Sequence, residues 1–394
     1  MSFLPLDRAT TLKAAFQACD LGSLKGEASQ KYYVDLSAVR SGEAIRNVST
    51  RLDFLDAGVF DTLLFTGHRG CGKSTELRRI QNQWEQDYRV IYLEADEELD
   101  VNDIEYTDLY LVIIKHVADD LTRLNLRFDA KLLRSFEEWF KEITEETEES
   151  VNKSFSLETS LEAKAEVPFI FKLLAKLQAQ IKGSHQQKQI IRQKMERNVR
   201  RLKSDINLLL KDGFEKLTAQ YRKEERYQKG FLVIMDNLDR IAPKIGDSLY
   251  FDYAAQLQEL KCTVIYTVPI SVVYSDKNLN NAFSRPNIVP MVDIYQFDSA
   301  CRDLVYNEAA VKGLASVVAR RIDLAAVFAS SKLLAQLVVA SGGHVRQLMQ
   351  MTATACLTAA TRNHNKIQAD DITYAIRQEQ FNFERVIPSH HYAL

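Results

Sequence analysis

The sequence is poor in most of what marks a fibrous, secreted or membrane-spanning chain. Seven prolines and 14 glycines in 394 residues exclude a collagen-like or linker-dominated protein. The five cysteines (Cys19, Cys71, Cys262, Cys301 and Cys356) are scattered with no paired spacing, which argues against a disulfide framework or a zinc site. They read as reduced thiols, most of them core filler. No apolar run is long enough to cross a bilayer, and the opening stretch MSFLPLDRATTLKAAFQACD lacks the basic-then-apolar pattern of a secretory signal, so a cytoplasmic protein without a membrane span is expected. An excess of one charge is also missing. Lys plus Arg (51) nearly balances Asp plus Glu (53), so any pull toward nucleic acid or an anionic surface has to be local. Apolar residues make up 46%, enough for the cores of two or three domains at this length.

Against this background one stretch carries definite chemistry. LLFTGHRGCGKSTELRRI (63–80) is an apolar strand, Gly67, four residues, Gly72-Lys73-Ser74 and a helix-compatible segment, which fits G-x-x-x-x-G-K-[ST] in the context that motif requires. Gly67, Gly70 and Gly72 let the backbone curl until successive N–H groups face phosphate oxygens. The helix starting near Lys73 adds about half a positive charge at its N-terminus. Lys73 is predicted to reach the β- and γ-phosphates and the Ser74 hydroxyl to complete the shell of a magnesium ion, with Thr75 beside it in the binding set. ATP and Mg2+ are therefore the expected ligands.

A second apolar run, FLVIMDNLDR (231–240), ends in Asp236, where a nucleotide-binding parallel sheet needs a carboxylate for the metal. Ser74 and Asp236 are the predicted metal-holding pair. The next residue is Asn237, which cannot take a proton from water, although a positioned base is typically worth about 10²- to 10⁴-fold in rate. Two readings stand: Asp239, three residues after Asp236, supplies the missing carboxylate, or the site hydrolyses slowly and works mainly as a switch.

Strand-like and helix-like segments alternate through the same region: YRVIYLEADEEL (88–99) as a strand, YTDLYLVIIKHVADDLTRL (106–124) and SLYFDYAAQLQEL (248–260) as helices, CTVIYTVPI (262–270) and NIVPMVDIY (287–295) as strands. Such alternation predicts a parallel sheet covered on both faces. The two motifs, the polar Thr267 ending a later strand and SGGHVRQLMQM further on resemble the AAA+ ATPases, more narrowly their origin-recognition, STAND and KAP-like relatives, in which D-x-x-D-R and G-G-x-x-R pairings recur. The resemblance implies an α/β fold: a P-loop parallel sheet of the additional-strand type, a helical lid and, here, a long helical, partly coiled-coil insertion. It also implies Thr267 as a sensor of the γ-phosphate or attacking water, Arg346 as a lid sensor, and Arg285 as an arginine finger completing a neighbouring subunit's site. KYYVDLSAVR (31–40) lies where these relatives contact the adenine, with Tyr33, Val34 and Arg40 as wall residues or simple packing. Asn237 departs from the general pattern and puts efficient hydrolysis in question, not nucleotide binding.

The implied division is an N-terminal, adenine-side helical segment 1–50, core parts 51–125 and 230–298, an insertion 126–229, a lid 299–379 and a tail 380–394. Residues 129–166 of the insertion hold 11 acidic against 5 basic residues, and 185–226 hold 12 basic against 6 acidic. In the basic part Ile191, Met195, Val199, Leu202, Ile206 and Leu209 form a heptad-like stripe. The two arms pack on one another as a hairpin, or 185–226 grips nucleic acid, or the arm docks a partner. Three functions follow: an ATP-dependent oligomeric switch controlling a separate effector protein, with bacterial signalling or phage defence as its setting; a nucleic-acid-binding ATPase of the DNA-loader or transposition-regulator kind; or a non-hydrolysing, nucleotide-bound scaffold.

Overall fold

The computed structural model describes residues 7–136, 138–139, 185–296 and 305–387. Runs rich in β-branched, aromatic and aliphatic residues form its strands: β1 (Thr62–Gly67), β2 (Arg89–Glu94), β3 (Phe231–Asp236), β4 (Thr263–Thr267) and β5 (Asn287–Val289). They make one sheet in the order β2-β3-β4-β1-β5. The pairings β2 with β3, β3 with β4, and β4 with β1 are parallel. Every residue of β1, β3 and β4 is buried, as a parallel sheet covered on both faces requires. The fold is thus α/β, and β4 is the additional strand, standing between the phosphate-loop strand and the carboxylate strand.

Register decides where the polar strand ends fall. Met235 pairs with Tyr266 and Phe65 with Thr267, so Thr66, Asp236 and Thr267 reach the same carboxyl edge of the sheet. Two expected strands are shorter than their apolar runs. The chain turns helical at Ala95 after β2, and β5 stops at Val289 because Pro290 has no N–H to continue a ladder. The expected helix over 248–260 is broken into a wide turn at Ser248–Asp252 and a short helix at Ala254–Leu257.

By contacts the chain forms two compact units, one of Ile45–Thr66 and Arg79–Asn287, the other of Met1–Ala44, Gly67–Arg78 and Ile288–Leu394. In the first, the helix Tyr106–Arg123 is mostly buried and begins with a reciprocal cap between Glu105 and Asp108. The helices His185–Arg197 and Val199–Gln220 pack beside it, and the heptad-like stripe goes there: Ile191, Met195, Leu202, Ile206 and Leu209 are all fully buried in the same core as Leu109, Ile113 and Val117. A core-facing helix and a coiled-coil seam share three- and four-residue spacing, and the stripe proves to be the former. The acidic stretch 142–150 and the apolar stretch 167–177 lie outside the described residues.

The second unit is helical. Glu308–Ala319, Ser331–Ala340, Val345–Thr361 and Ala369–Glu384 enclose Leu314, Leu337, Leu348 and Ile372, with side-chain caps from Asn307, Ser330 and His344. The helix Leu12–Ala18 packs on Val345–Thr361 and contributes Ala15 and Cys19 to this core. The helix Leu12–Ala18 is therefore part of this unit's own packing. Cys19, Cys71, Cys262 and Cys356 are buried and in no disulfide, as core filler should be; Cys301 lies outside the described residues.

Candidate phosphate-loop site

The loop after β1 takes the conformation its glycines predict. Gly70 and Gly72 have φ of 87° and 99°, a region that only glycine enters without strain. At Gly70 the space is also needed: a Cβ there would run into the His344 ring and stand 2.8 Å from the Arg346 Cβ. His344 and Arg346, at the start of the helix Val345–Thr361, therefore lie directly on the loop. Lys73 is the first residue of the helix Lys73–Trp84 and is buried, its Nζ donating to the carbonyls of Gly67 at 2.9 Å and His68 at 3.1 Å. Ser74 and Thr75 follow in the first turn, half-buried.

His344 accepts the Gln347 N–H through Nδ1 at 3.3 Å, which caps the lid helix. Burial pushes its pKa below the ordinary histidine value, and the Arg346 and His68 charges push the same way, against a hydrogen bond to the Arg69 backbone. A neutral ring with Nδ1 accepting carries its proton on Nε2, which suits donation to the Arg69 carbonyl. The histidine thus links the lid helix to the phosphate loop.

Tyr33 and Arg40 turn to the loop as well. The Arg40 side chain pairs with Glu76 at 3.3 Å, the two being 7% and 8% exposed. Its Nη2 donates to the Cys71 carbonyl at 2.6 Å, and the Tyr33 hydroxyl donates to the other Glu76 oxygen at 3.1 Å. Glu76 was invisible as a site residue in sequence because a glutamate in a first helical turn is ordinary; its partners lie 36 and 43 positions away.

In the sheet unit, Asp236 is 2% exposed, with Oδ2 taking the Tyr92 hydroxyl at 2.6 Å and Oδ1 the Asn237 N–H at 2.8 Å. Asn237 sits at φ 63° and donates its amide to Asp96 Oδ1 at 2.7 Å, while Arg240 pairs with the other Asp96 oxygen. Thr267 is fully buried, and its hydroxyl accepts the Leu238 N–H at 2.9 Å and the Asp239 N–H at 3.3 Å while donating to the Met235 carbonyl at 3.1 Å. One proton and two lone pairs are thereby used, so in this arrangement the hydroxyl fixes the turn after β3. Asp239 is half-buried within that turn. Arg285 is exposed in the loop before β5 and has no ion pair among the described residues. Sequence reasoning missed Tyr92 and Asp96; Tyr92 lies in β2, next to β3 in the sheet, and Asp96 in the short helix that follows it, a neighbourhood that no local pattern announces.

The basic stretch 185–226 is partly consumed internally. Arg192 is 5% exposed and bonds Asp103, Glu105 and the buried Asp108; Lys203 pairs with Glu259 and Lys216 with Asp212. Arg197, Arg200, Lys211, Arg222 and Lys223 remain exposed.

The sequence matches no described protein family and no curated protein. Among solved structures, the fold is similar to the ORC2 protein of Aeropyrum pernix, at 12% identity over 91% of this chain and 73% of that one, with a TM-score of 0.40. It is similar also to a Walker-type ATPase of Pyrococcus abyssi, at 15% identity over 93% of this chain and 79% of that one, with a TM-score of 0.41. The CDC6P protein of Pyrobaculum aerophilum follows at 11% identity over 87% and 70%, with a TM-score of 0.35. No helix among the described residues is long and apolar enough to cross a membrane.

Proposed function

We propose that this chain binds ATP with magnesium and acts as an ATPase of the AAA+ type, slow or stimulated by association, working as an ATP-dependent oligomeric switch on a separate partner protein. The phosphate loop carries this reading: a strand ending in a glycine-rich turn, two glycines held at positive φ, and Lys73 opening the following helix. The donors suit magnesium, a hard cation that takes hydroxyl and carboxylate oxygens. Ser74 and Asp236 would hold it, and when bound it would neutralise charge on the β- and γ-phosphates. Tyr92 and the Asn237 N–H keep the Asp236 carboxylate oriented.

Asp239 and the restraint on Asn237 bear on rate. With an amide where a base is wanted, turnover rests on Asp239 or stays slow, and either suits a switch whose states differ by the γ-phosphate. Thr267 acts by fixing the turn that carries Asp239. Arg346 would face the phosphates from the lid, and Arg285 would serve a neighbouring copy. The D-x-x-D-R and G-G-x-x-R pairings support a setting among STAND and KAP-like switches, in bacterial signalling or phage defence.

Titration calorimetry with MgATP tests the reading: wild type should bind, and Lys73→Ala should lose most of the affinity. No binding by wild type would overturn it. Strong stimulation of turnover by duplex DNA, falling steeply with salt, would instead favour the nucleic-acid-binding ATPase. Binding without turnover in any condition would favour the scaffold.

A further inference from the structure

Arg40 lies outside the phosphate-loop motif, yet its side chain is more tightly placed than most surface arginines. It is buried against the loop, its Nη2 is 2.6 Å from the Cys71 carbonyl, and it stands 3.5 Å from where a Gly72 Cβ would be. Its Nε is buried without a hydrogen-bond partner, a cost the fold bears to keep the guanidinium here. Glu76 and Tyr33 hold it from the other side.

The peptide between Cys71 and Gly72 is trans, like every peptide described. In a planar trans peptide the carbonyl and the next N–H point in opposite directions. Pinning the Cys71 carbonyl on Arg40 therefore turns the Gly72 N–H away from Arg40. On the nucleotide reading, on which this inference rests, that N–H is one of the donors meant for phosphate. A loop whose carbonyl were free to flip would present an acceptor where an anion has to sit. Glu76 adds a second requirement, because a buried carboxylate in the first turn of the helix repels an anion at that helix's N-terminus, and Arg40 neutralises it.

We propose that Arg40 is a positioning residue for nucleotide phosphate: it fixes the Cys71–Gly72 peptide so that the Gly72 N–H faces the ligand, with Glu76 and Tyr33 as its clamp. This assigns the segment 33–40 to the phosphate end of the ligand, where the adenine side was expected.

A cycle of Arg40→Gln, Glu76→Gln and the double variant, read by thermal melting and by titration with MgATP and with inorganic triphosphate, tests it. Arg40→Gln should lower the melting temperature and weaken MgATP about tenfold or more, the range of one hydrogen bond to a charged group. In the double variant no buried charge is left unpaired, so melting should recover most of the way while MgATP binding stays weak. Inorganic triphosphate should lose affinity by a factor within about twofold of the MgATP loss. Should the single variant fail to fold, the double variant alone decides. A double variant that binds MgATP like wild type shows that Arg40 merely offsets Glu76 and overturns the proposal. Loss with MgATP but not with inorganic triphosphate overturns it too, in favour of an adenine-side role. Wild type without MgATP affinity would instead fail the nucleotide reading itself.

Discussion

At Asn237 a single backbone angle limits what the site can contain. Its φ of 63° is in the left-handed region, where asparagine is among the few residues other than glycine at ease. Its amide faces the Asp96 carboxylate, so a glutamate would bring two carboxylates together as well as straining the backbone. Asn237→Glu is expected to cost about 1–2 kcal/mol in chemical denaturation and to give no gain in phosphate release. A gain of several-fold would mean that the side chain swings clear of Asp96 and that the missing base is a matter of residue type alone. The anomaly itself is legible in the sequence; its physical reason is not, because Asp96 lies 141 positions from Asn237. His344 offers a pH-dependent test on the same scale. Its pKa is held below the ordinary value first by burial and then by Arg346 and His68. The unfolded chain therefore takes up the proton first, and the stability tied to the neutral ring is complete above about pH 6.5 and is lost as the pH falls from there toward the lowered folded value. Melting measured from about pH 7.5 down to about 5.5 should show this loss. His344→Asn, which keeps an N-cap but does not titrate, should flatten the profile.

The helix His185–Arg197 shows where periodicity stops being informative. Its apolar spacing is correctly helical, and so is that of Val199–Gln220, but the same stripe serves a coiled coil or a core, and only the neighbouring helix Tyr106–Arg123 decides between them. The charge count overstates the available basic surface in a similar way: Arg192 is found inside, bonded to Asp108 at the start of Tyr106–Arg123, while Arg197, Arg200, Lys211, Arg222 and Lys223 stay exposed. By contrast the strand–loop–helix at 62–84 could be read directly, because loop, lysine and helix start are adjacent in the chain. Arg192→Met should destabilise the sheet unit by about 3–5 kcal/mol, the range for stranding one member of a buried pair. Asp103 and Glu105, each more than a third exposed, should contribute little to that figure. Adding Asp108→Asn, which keeps a cap acceptor for the Glu105 N–H, should recover much of the loss in urea unfolding. If the double variant is as unstable as the single, the cost lies in lost packing of the arginine stem.

For the whole molecule the open question is association. A net charge of −2 gives no general repulsion between copies, so the surface is free to let specific contacts decide. Arg285 is exposed and unpaired among the described residues, which leaves it available to a neighbour. If it completes that neighbour's site, turnover per chain should rise with protein concentration, and Arg285→Ala should abolish the rise and lower turnover by about 10³-fold, the lower end for an arginine supplied in trans. Sedimentation should show larger species with ATP than with ADP; a monomer at all concentrations in both would remove the role. The sharper test mixes two inactive variants. Lys73→Ala spoils a chain's own phosphate loop but keeps its arginine, whereas Arg285→Ala does the reverse. In a head-to-tail assembly mixed at random from equal parts, about one interface in four joins an intact loop to an intact arginine. Activity should reappear on mixing at about that fraction of wild type. A lone subunit that used both residues on its own ligand would gain nothing from the mixture, so recovery assigns Arg285 to the neighbour, and its absence assigns it elsewhere.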